Sequence, residues 1–398
     1  MRLALLCDDP VIGEWLDALA DDPSHEIVLA AALGESGAQI LRGRSGIRLT
    51  SQWEDLLNPF DAILVGGNHD QVLEAIRQLA MAGQPLLFLP RSDQGSMFIY
   101  ELSLIRDDNQ VSIHPAIWRR CDLPWLRLRN SIKDGEWGQV HLLQFQRTLA
   151  AKSASSLLDQ GEIDALMLED FDLLRWLIGD YDQVTAIRVG ASDQGVRTQS
   201  VKLSGKGLPE ATWEIGCQTA SSGRLTVQTD RGTLILESKE DSDWRLTEPA
   251  GTTRTGNRQT AIREVLRQLS ISPSANWTEL VRDFETVDAT HRSVKRRRTI
   301  DLHFEPMSER AIFKTQMTAI GCSLLLLTLL LVLIYLGIAS AVPLPAWGLL
   351  LLRSLIFAPL GLFLGLQLLY PLTRPSQGTG AGQANVEREG GRTDPAGD

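Results

Sequence analysis

The chain lacks several things, and each absence excludes something. It has four cysteines in 398 residues, Cys7, Cys121, Cys217 and Cys322, with no CxxC pair and no histidine at metal-ligand spacing. A small disulfide scaffold is excluded, no metal site is expected, and a reducing compartment fits. Positive charge is not in excess. The formal charge is −10, which argues against non-specific nucleic-acid binding, so no nucleic-acid partner is expected. No secretory leader is read at the front, because the apolar run 3–7 is too short and Asp8 and Asp9 follow at once. The sequon at Asn276 is therefore not expected to carry a glycan. Internal repeats are also missing.

Apolar residues make up 43% of the chain, but they are spread unevenly. The mean hydropathy of −0.05 averages unlike parts. Up to about residue 308 the sequence is mixed and polar. From 317 to 370 it is almost uncharged, and 376–398 is Gly-rich and polar. Two apolar runs, 317–341 and 347–370, flank the uncharged turn VPLPA at 342–346. About 20 apolar residues suffice to cross a hydrocarbon core as a helix, whereas a core helix of a soluble domain keeps a polar face. We therefore expect a transmembrane helical hairpin over 315–371 and a disordered tail over 372–398. The bilayer is the partner of 317–370.

Arg353 lies two turns into the second run, where it either snorkels outward or marks a later start of the span. Basic residues before the first run (Arg292, Lys295, Arg296, Arg297, Arg298, Arg310, Lys314) and Arg374 after the second set the orientation. By the positive-inside rule both ends face the cytoplasm, which makes this a multi-pass cytoplasmic (inner) membrane protein. The basic cluster meets anionic headgroups or is simply a solvated helix end.

The soluble part reads as two patterns. Residues 1–110 alternate short continuous apolar strands (2–7, 26–32, 61–66, 85–89) with helices (11–20, 53–57, 70–82). Strands of that kind belong to a parallel sheet covered on both faces, and the leading architecture is a nucleotide-binding α/β fold. Further on, 139–147, 184–189, 211–217, 225–229 and 233–237 alternate apolar with polar residues, as in a sheet with one open face. Helices are expected at 126–133, 170–178 and 276–296, and a polar loop at 240–258. The fold class is thus α/β. A Rossmann-type doubly wound parallel sheet (1–120) precedes an α+β domain with an open, mostly antiparallel sheet (121–305), and two transmembrane helices follow.

Several stretches, in order, resemble the Gfo/Idh/MocA family of NAD(P)-dependent oxidoreductases. DAILVGGNH at 61–69 with VLEAIRQLAMAG at 72–83 is similar to the family's fourth strand and the helix after it. LRNSIKDGEWGQV at 128–140 resembles the entry into the second domain, and DFDLLRWLIG at 170–179 the helix beside the active site. RGTLILE at 231–237 resembles a late strand, and 277–299 the closing helix. The resemblance covers about residues 1–305. It implies NAD or NADP as cofactor, a sugar-like substrate, and pairing of subunits through the open sheet.

Residue by residue, the implied chemistry is incomplete. The family's G-x-G-x-x-G turn is CDDPVIG at 7–13 here, which retains only Gly13 and puts two carboxylates where a diphosphate would lie. Asp9-Pro10 also reads as an N-cap and first helical position. The ribose-binding acid is unclear, Glu35 being nearest. The family's Lys after the fifth strand is absent from LFLPR at 87–91. Arg91 is the nearby cation, suited to holding an anion but not to proton transfer. Glu169 stands where the family has its catalytic His, ahead of Asp170 and Asp172. These three are the catalytic candidates by resemblance, with surface or capping roles as the alternative for the aspartates. Gly13, Gly66, Asn68, His69 and Arg91 are the cofactor-binding candidates, His69 also reading as a structural loop residue. His114, Arg119 and Arg120 either hold an anionic ligand or cap the sheet.

Two function classes remain. One is a catalytically inert ligand-binding or scaffolding protein with a degenerate site, and the other is an active NAD(P)-dependent oxidoreductase on a sugar-like substrate. The lost glycines, Lys and His favour the first. A receiver-domain reading of Asp8 and Asp9 is rejected, since Gly66-Gly67 and Pro90-Arg91 occupy the positions that fold needs for its phosphate-accepting Asp and its Lys.

Overall fold

The computed structural model describes residues 1–304, except 21, 23, 34, 42–43, 45, 151–156, 191–194, 240–242 and 270–275, together with residues 326–332. Met1–Phe304 forms one compact unit. The expected hairpin over 315–371, Arg353 and the tail over 372–398 lie outside the described residues, apart from 326–332, which are helical. Among the described residues no helix is long and apolar enough to cross a membrane.

The first sheet holds β1 (Arg2–Cys7), β2 (Glu26–Ala31), β3 (Arg48–Thr50), β4 (Ala62–Gly66), β5 (Leu86–Phe88) and β6 (Ile113–Pro115). Their order is β3-β2-β1-β4-β5-β6, and every pairing is parallel. The chain builds outward from β1 in one direction and returns to build in the other. The C-terminal end of β1 is therefore a topological switch point, where ligands of open α/β sheets bind. Helices α1 (Ile12–Ala20), α2 (Glu35–Leu41), α3 (Asp70–Met81) and α4 (Gly95–Asn109) cover the two faces. Helix α3 forms as its spacing predicts, burying Val72, Ala75, Ile76, Leu79 and Ala80 on one face and stopping at Gly83, whose φ of +77° suits glycine. Strands β3 and β6 are three residues each, too short for a periodicity to register, and they are not among the expected elements.

Helix α5 (Leu123–Lys133) leads to the second sheet. It contains β7 (Val140–Ala150), β8 (Gln183–Val189), β9 (Thr198–Ser204), β10 (Glu210–Gln218), β11 (Ser222–Thr229), β12 (Gly232–Lys239), β13 (Arg245–Thr247), β14 (Thr253–Thr255) and β15 (Ile300–Asp301). The order is β14-β13-β12-β11-β7-β10-β9-β8-β15, antiparallel except for β10 on β7. Leu143 and Phe145 of β7, Ala211, Trp213 and Ile215 of β10, and Leu225 and Val227 of β11 point into the core. The residues between them face outward, which is the alternation the sequence displays.

Three helices complete the unit: α6 (Gln160–Ile178), α7 (Arg258–Leu269) and α8 (Trp277–Arg296). Helix α6 is longer than expected. Asp159 caps it through Oδ2 to the N–H of Glu162 (3.2 Å), and Gly179 ends it. Asn276, the sequon residue, caps α8 through Oδ1 to the N–H of Glu279 (2.9 Å). The loop expected over 240–258 is corrected. It contains the β13–β14 hairpin, anchored by Trp244 and Leu246, both fully buried. Only one face of the hairpin is apolar, and Arg245, Thr253, Arg254 and Thr255 on the exposed side hide it in a composition average. Helix α7 then returns to the first sheet, burying Ala261, Ile262, Val265 and Leu266 in the same cluster as Trp15, Leu16 and Leu19 of α1. The C-terminal edge of the first sheet, α6, the start of α7 and α8 line one cleft.

Candidate functional site

The turn after β1 is built by its own side chains. Asp9 Oδ1 accepts from the N–H of Val11 (2.8 Å), and Asp9 Oδ2 accepts from Nη1 of Arg91. Arg91 also donates through Nε and Nη2 to Asp93 (2.9 and 2.6 Å), and Asn68 Nδ2 donates to Asp93 Oδ2 (2.8 Å). This pairing holds the Asp93 carboxyl below its usual range. Burial, with Asp9 and Asp8 nearby, pushes the Cys7 thiol up to about 12. An internal carboxylate, Asp9, thus takes the anion position at the N-terminus of α1.

Asp8 is only 8% exposed, and neither of its carboxylate oxygens has a hydrogen-bond partner. Its nearest cation-forming group is Nε2 of His69, 3.6 Å away on an exposed ring. The space for Asp8 exists because residue 67 is glycine. A Cβ at Gly67 would lie 1.7 Å from Asp8 Oδ1, and φ there is +124°. A Cβ at Gly37 of α2 would lie 2.5 Å from the carbonyl oxygen of Cys7, so the backbone of α2 presses on the end of β1. A Cβ at Gly13 would meet only Ile40, at an ordinary 3.8 Å, so no close approach requires that glycine. Gly66 packs against Leu89 and Cys7.

Two carboxylates, 8% and 4% exposed, stand in this turn, and α2 presses on the strand end. Bringing like charges together in a partly desolvated site costs several kcal/mol. The side chain of Glu35 is outside the described set.

The opposite wall is α6. Asp170 is fully buried and accepts from Arg147 Nε (2.8 Å) and Nη2 (2.5 Å), from Trp213 Nε1 (2.8 Å) and from Arg119 Nη1 (3.4 Å). Asp172 accepts from Arg120 Nε (3.0 Å) and Nη2 (2.5 Å), and Arg120 also pairs with Glu279. Glu169 is half exposed and pairs with Arg119 Nη2 (2.8 Å). Arg119 and Arg120 are buried, and their charges hold α6 to the 3₁₀ turn Trp118–Cys121. Asp283 on α8 is fully buried. Its Oδ1 accepts from Arg175, while burial and the neighbouring Asp172 carboxyl push its pKa well above the carboxylate range. His114 lies on β6, where its Nε2 is 2.6 Å from Ser112 Oγ.

Between these walls lies a cleft of about 450 Å³. Asp9, Arg91 and Asp93 line one side, Glu162, Glu169 and Asp172 the other, with Trp118, Arg119 and Arg258 at the back. Its lining holds seven carboxylic side chains and three guanidinium groups, with neither Lys nor His. The structure brings Arg91, Glu169 and Asp172 to this cleft. Gly13, Gly66, Asn68, His69 and Asp170 are outside its lining. Sequence reasoning missed Arg147, Trp213, Asp93 and Arg258. Arg147 did leave a signal, being a charged residue at an inward-facing strand position beside Leu143 and Phe145.

A six-stranded parallel sheet followed by an open nine-stranded sheet is an architecture shared with solved dehydrogenase structures. A myo-inositol dehydrogenase from Corynebacterium glutamicum matches with TM-score 0.63 and 17% identity over 76% of this chain and 99% of that one. An oxidoreductase from Agrobacterium radiobacter, in complex with NAD+, L-tartaric acid and magnesium, matches with TM-score 0.63 and 14% identity over 76% and 98%. The WlbA dehydrogenase from Chromobacterium violaceum, in complex with NADH and UDP-GlcNAcA, matches with TM-score 0.61 and 13% identity over 77% and 97%. At 13–17% identity, the likeness shows the fold that these structures share with the chain. No protein-family model matches the sequence, and neither does any curated protein.

Proposed function

We propose that this chain is a membrane-anchored member of the Gfo/Idh/MocA type that takes a sugar-like small molecule in the cleft between the first sheet and α6. We further propose that it works as a ligand-binding protein without hydride transfer. The observation that carries this reading is the closed β1–α1 turn: Asp9 pairs with Arg91, Asp8 fills the space over Gly67, and α2 presses on the strand end. In this reading Arg91 and Glu169 are the side chains that meet ligand hydroxyls, because both line the cleft and neither is fully buried. Asp170 and Asp172 hold the wall in place through Arg147, Arg119 and Arg120.

A second reading, an active NAD(P)-dependent oxidoreductase on a sugar-like substrate, is favoured by the neighbours solved with NAD+ or NADH. There Glu169, half exposed at the cleft, is the candidate general base, and Gly13, Gly66, Asn68, His69 and Arg91 lie on the cofactor side. Titration calorimetry of the full chain in neutral detergent with NAD(H) and NADP(H) separates the two readings. No saturable binding supports the first, and micromolar binding establishes the second.

Anchoring rests on the runs 317–341 and 347–370, and on the exposure of Leu326, Leu327, Leu329 and Leu330 on the described helical stretch. A reporter fused after Asp398 is expected in the cytoplasm, and a periplasmic signal removes the hairpin reading. The open face of the second sheet, where Ile187 and Val189 are exposed, is the proposed surface for self-association.

A further inference from the structure

A second cavity of about 450 Å³ lies away from the β1 turn, among α5, the C-terminal turn of α6 and the N-terminal half of α8. Its charge is opposite to that of the cleft. Five cationic side chains line it, Arg120, Arg129, Lys133, Arg175 and Arg282, against two carboxylates, Asp180 and Glu279. Three of the five are already committed. Arg120 holds Asp172 and Glu279, Arg175 holds Asp180 and Asp283, and Arg282 holds Asp180. Arg129 and Lys133 are not. Neither has a carboxylate within ion-pair distance among the described residues.

Arg129 is held in place without an anion. Its guanidinium lies 4.3 Å from the ring centre of Trp176, and its half-buried position beside Arg120 lowers its pKa. Lys133 follows four residues later, one helical turn along the same face. The indole N–H of Trp176, a buried residue of the lining, has no acceptor. A preoriented Arg fork, a second cation one turn away and an unsatisfied N–H donor together lack an oxyanion.

We propose that this cavity binds a phosphate monoester group, held by Arg129 and Lys133. Two uncompensated cations match the −1.5 to −2 charge such a group carries at about pH 7, whereas a carboxylate neutralises only one of them. The phosphate has two sources. One is a soluble phosphate ester. The other is an acidic lipid headgroup: the described body ends at Phe304, whose ring lies 5.8 Å from the Arg175 guanidinium and 5.4 Å from that of Arg282. Twelve residues separate it from Met317, where the apolar run proposed to span the membrane begins.

The test is calorimetric titration of the full chain in neutral detergent, using inorganic phosphate, dihexanoyl phosphatidic acid and dihexanoyl phosphatidylcholine. Saturable binding of phosphate or phosphatidic acid, but not of phosphatidylcholine, is expected. Binding of phosphatidic acid alone assigns the lipid source, and binding of phosphate assigns a soluble ester. Arg129→Gln is expected to weaken binding about tenfold and Lys133→Gln about threefold. Because Lys133 is exposed, its variant keeps the test valid even where Arg129→Gln perturbs folding. No saturable binding of either phosphate, or affinities unchanged in both variants, overturns the proposal.

Discussion

Two aspartates, Asp8 after β1 and Asp170 on α6, are both withdrawn from water, and their surroundings differ. Asp170 on α6 receives four donated hydrogen bonds from Arg147, Arg119 and Trp213. Asp8 after β1 receives none, and only the imidazole of His69 stands near it. Burying a carboxylate is costly, and the cost is offset only where charge and donors converge on it. Asp170 is therefore a structural pin that joins the second sheet, α6 and the 118–121 turn. Asp8 sits in a position the fold tolerates but does not satisfy. Asp122 stands between the two. It is buried, accepts from the backbone N–H of Asn257 (3.1 Å), and has its pKa pushed up to about 6 by burial.

The largest effect is expected at the pin. Asp170→Ala leaves Arg147 buried without its carboxylate and should cost about 3–5 kcal/mol in denaturant unfolding followed by circular dichroism. A loss below about 1 kcal/mol would put Asp170 on a par with Asp8. The intermediate case is tested by pH. A carboxyl whose folded pKa is raised binds its proton more tightly when folded. Its contribution to stability is fully present below about pH 4 and is lost as pH rises through about 6. Asp122→Asn should therefore flatten the stability profile between those values by about 2–3 kcal/mol. An unchanged profile removes Asp122 from the comparison.

The unsatisfied aspartate is tested through the glycine that admits it. Gly67→Ala meets both a positive φ and the Asp8 carboxylate, and should cost about 2 kcal/mol. In an Asp8→Ala background the loss should fall to about 1 kcal/mol, the difference being the coupling between the two sites. Additive losses would show that Asp8 does not press on Gly67. The smallest expected effect has the opposite sign. Asp8→Asn should stabilise the chain by about 1 kcal/mol, because it removes a buried charge without donors. A loss of stability would show that Asp8 has a partner after all.

Much of the first sheet was legible because its strands are continuous apolar runs between amphipathic helices. In that pattern the sequence itself carries the period of the structure. The second sheet was legible in outline for a related reason, since one face is buried and the residues alternate. The 240–258 hairpin was not, because the only apolar side chains that bury it among the described residues are Trp244 and Leu246. The site divides in the same way. Arg91 and Glu169 were named through the family resemblance, from the positions of its Lys and its catalytic His, and both line the cleft. Asp93, Arg147, Trp213 and Arg258 were not, because each acts through a partner distant in sequence. Arg147 and Asp170 are 23 residues apart, and Trp213 and Asp170 are 43 apart.

The sequence by itself determined the longer strands and helices and the two-sheet plan, because local periodicity and local composition encode those features. Only the tertiary structure decided which charges cancel. It placed Asp9 on Arg91, sealed Asp170 between two arginines and an indole, left Asp8 with only the imidazole of His69 nearby, and left Arg129 and Lys133 without a carboxylate partner among the described residues. Charge compensation depends on distances of 3–4 Å between groups far apart along the chain. No linear pattern records those distances until the sheets have packed.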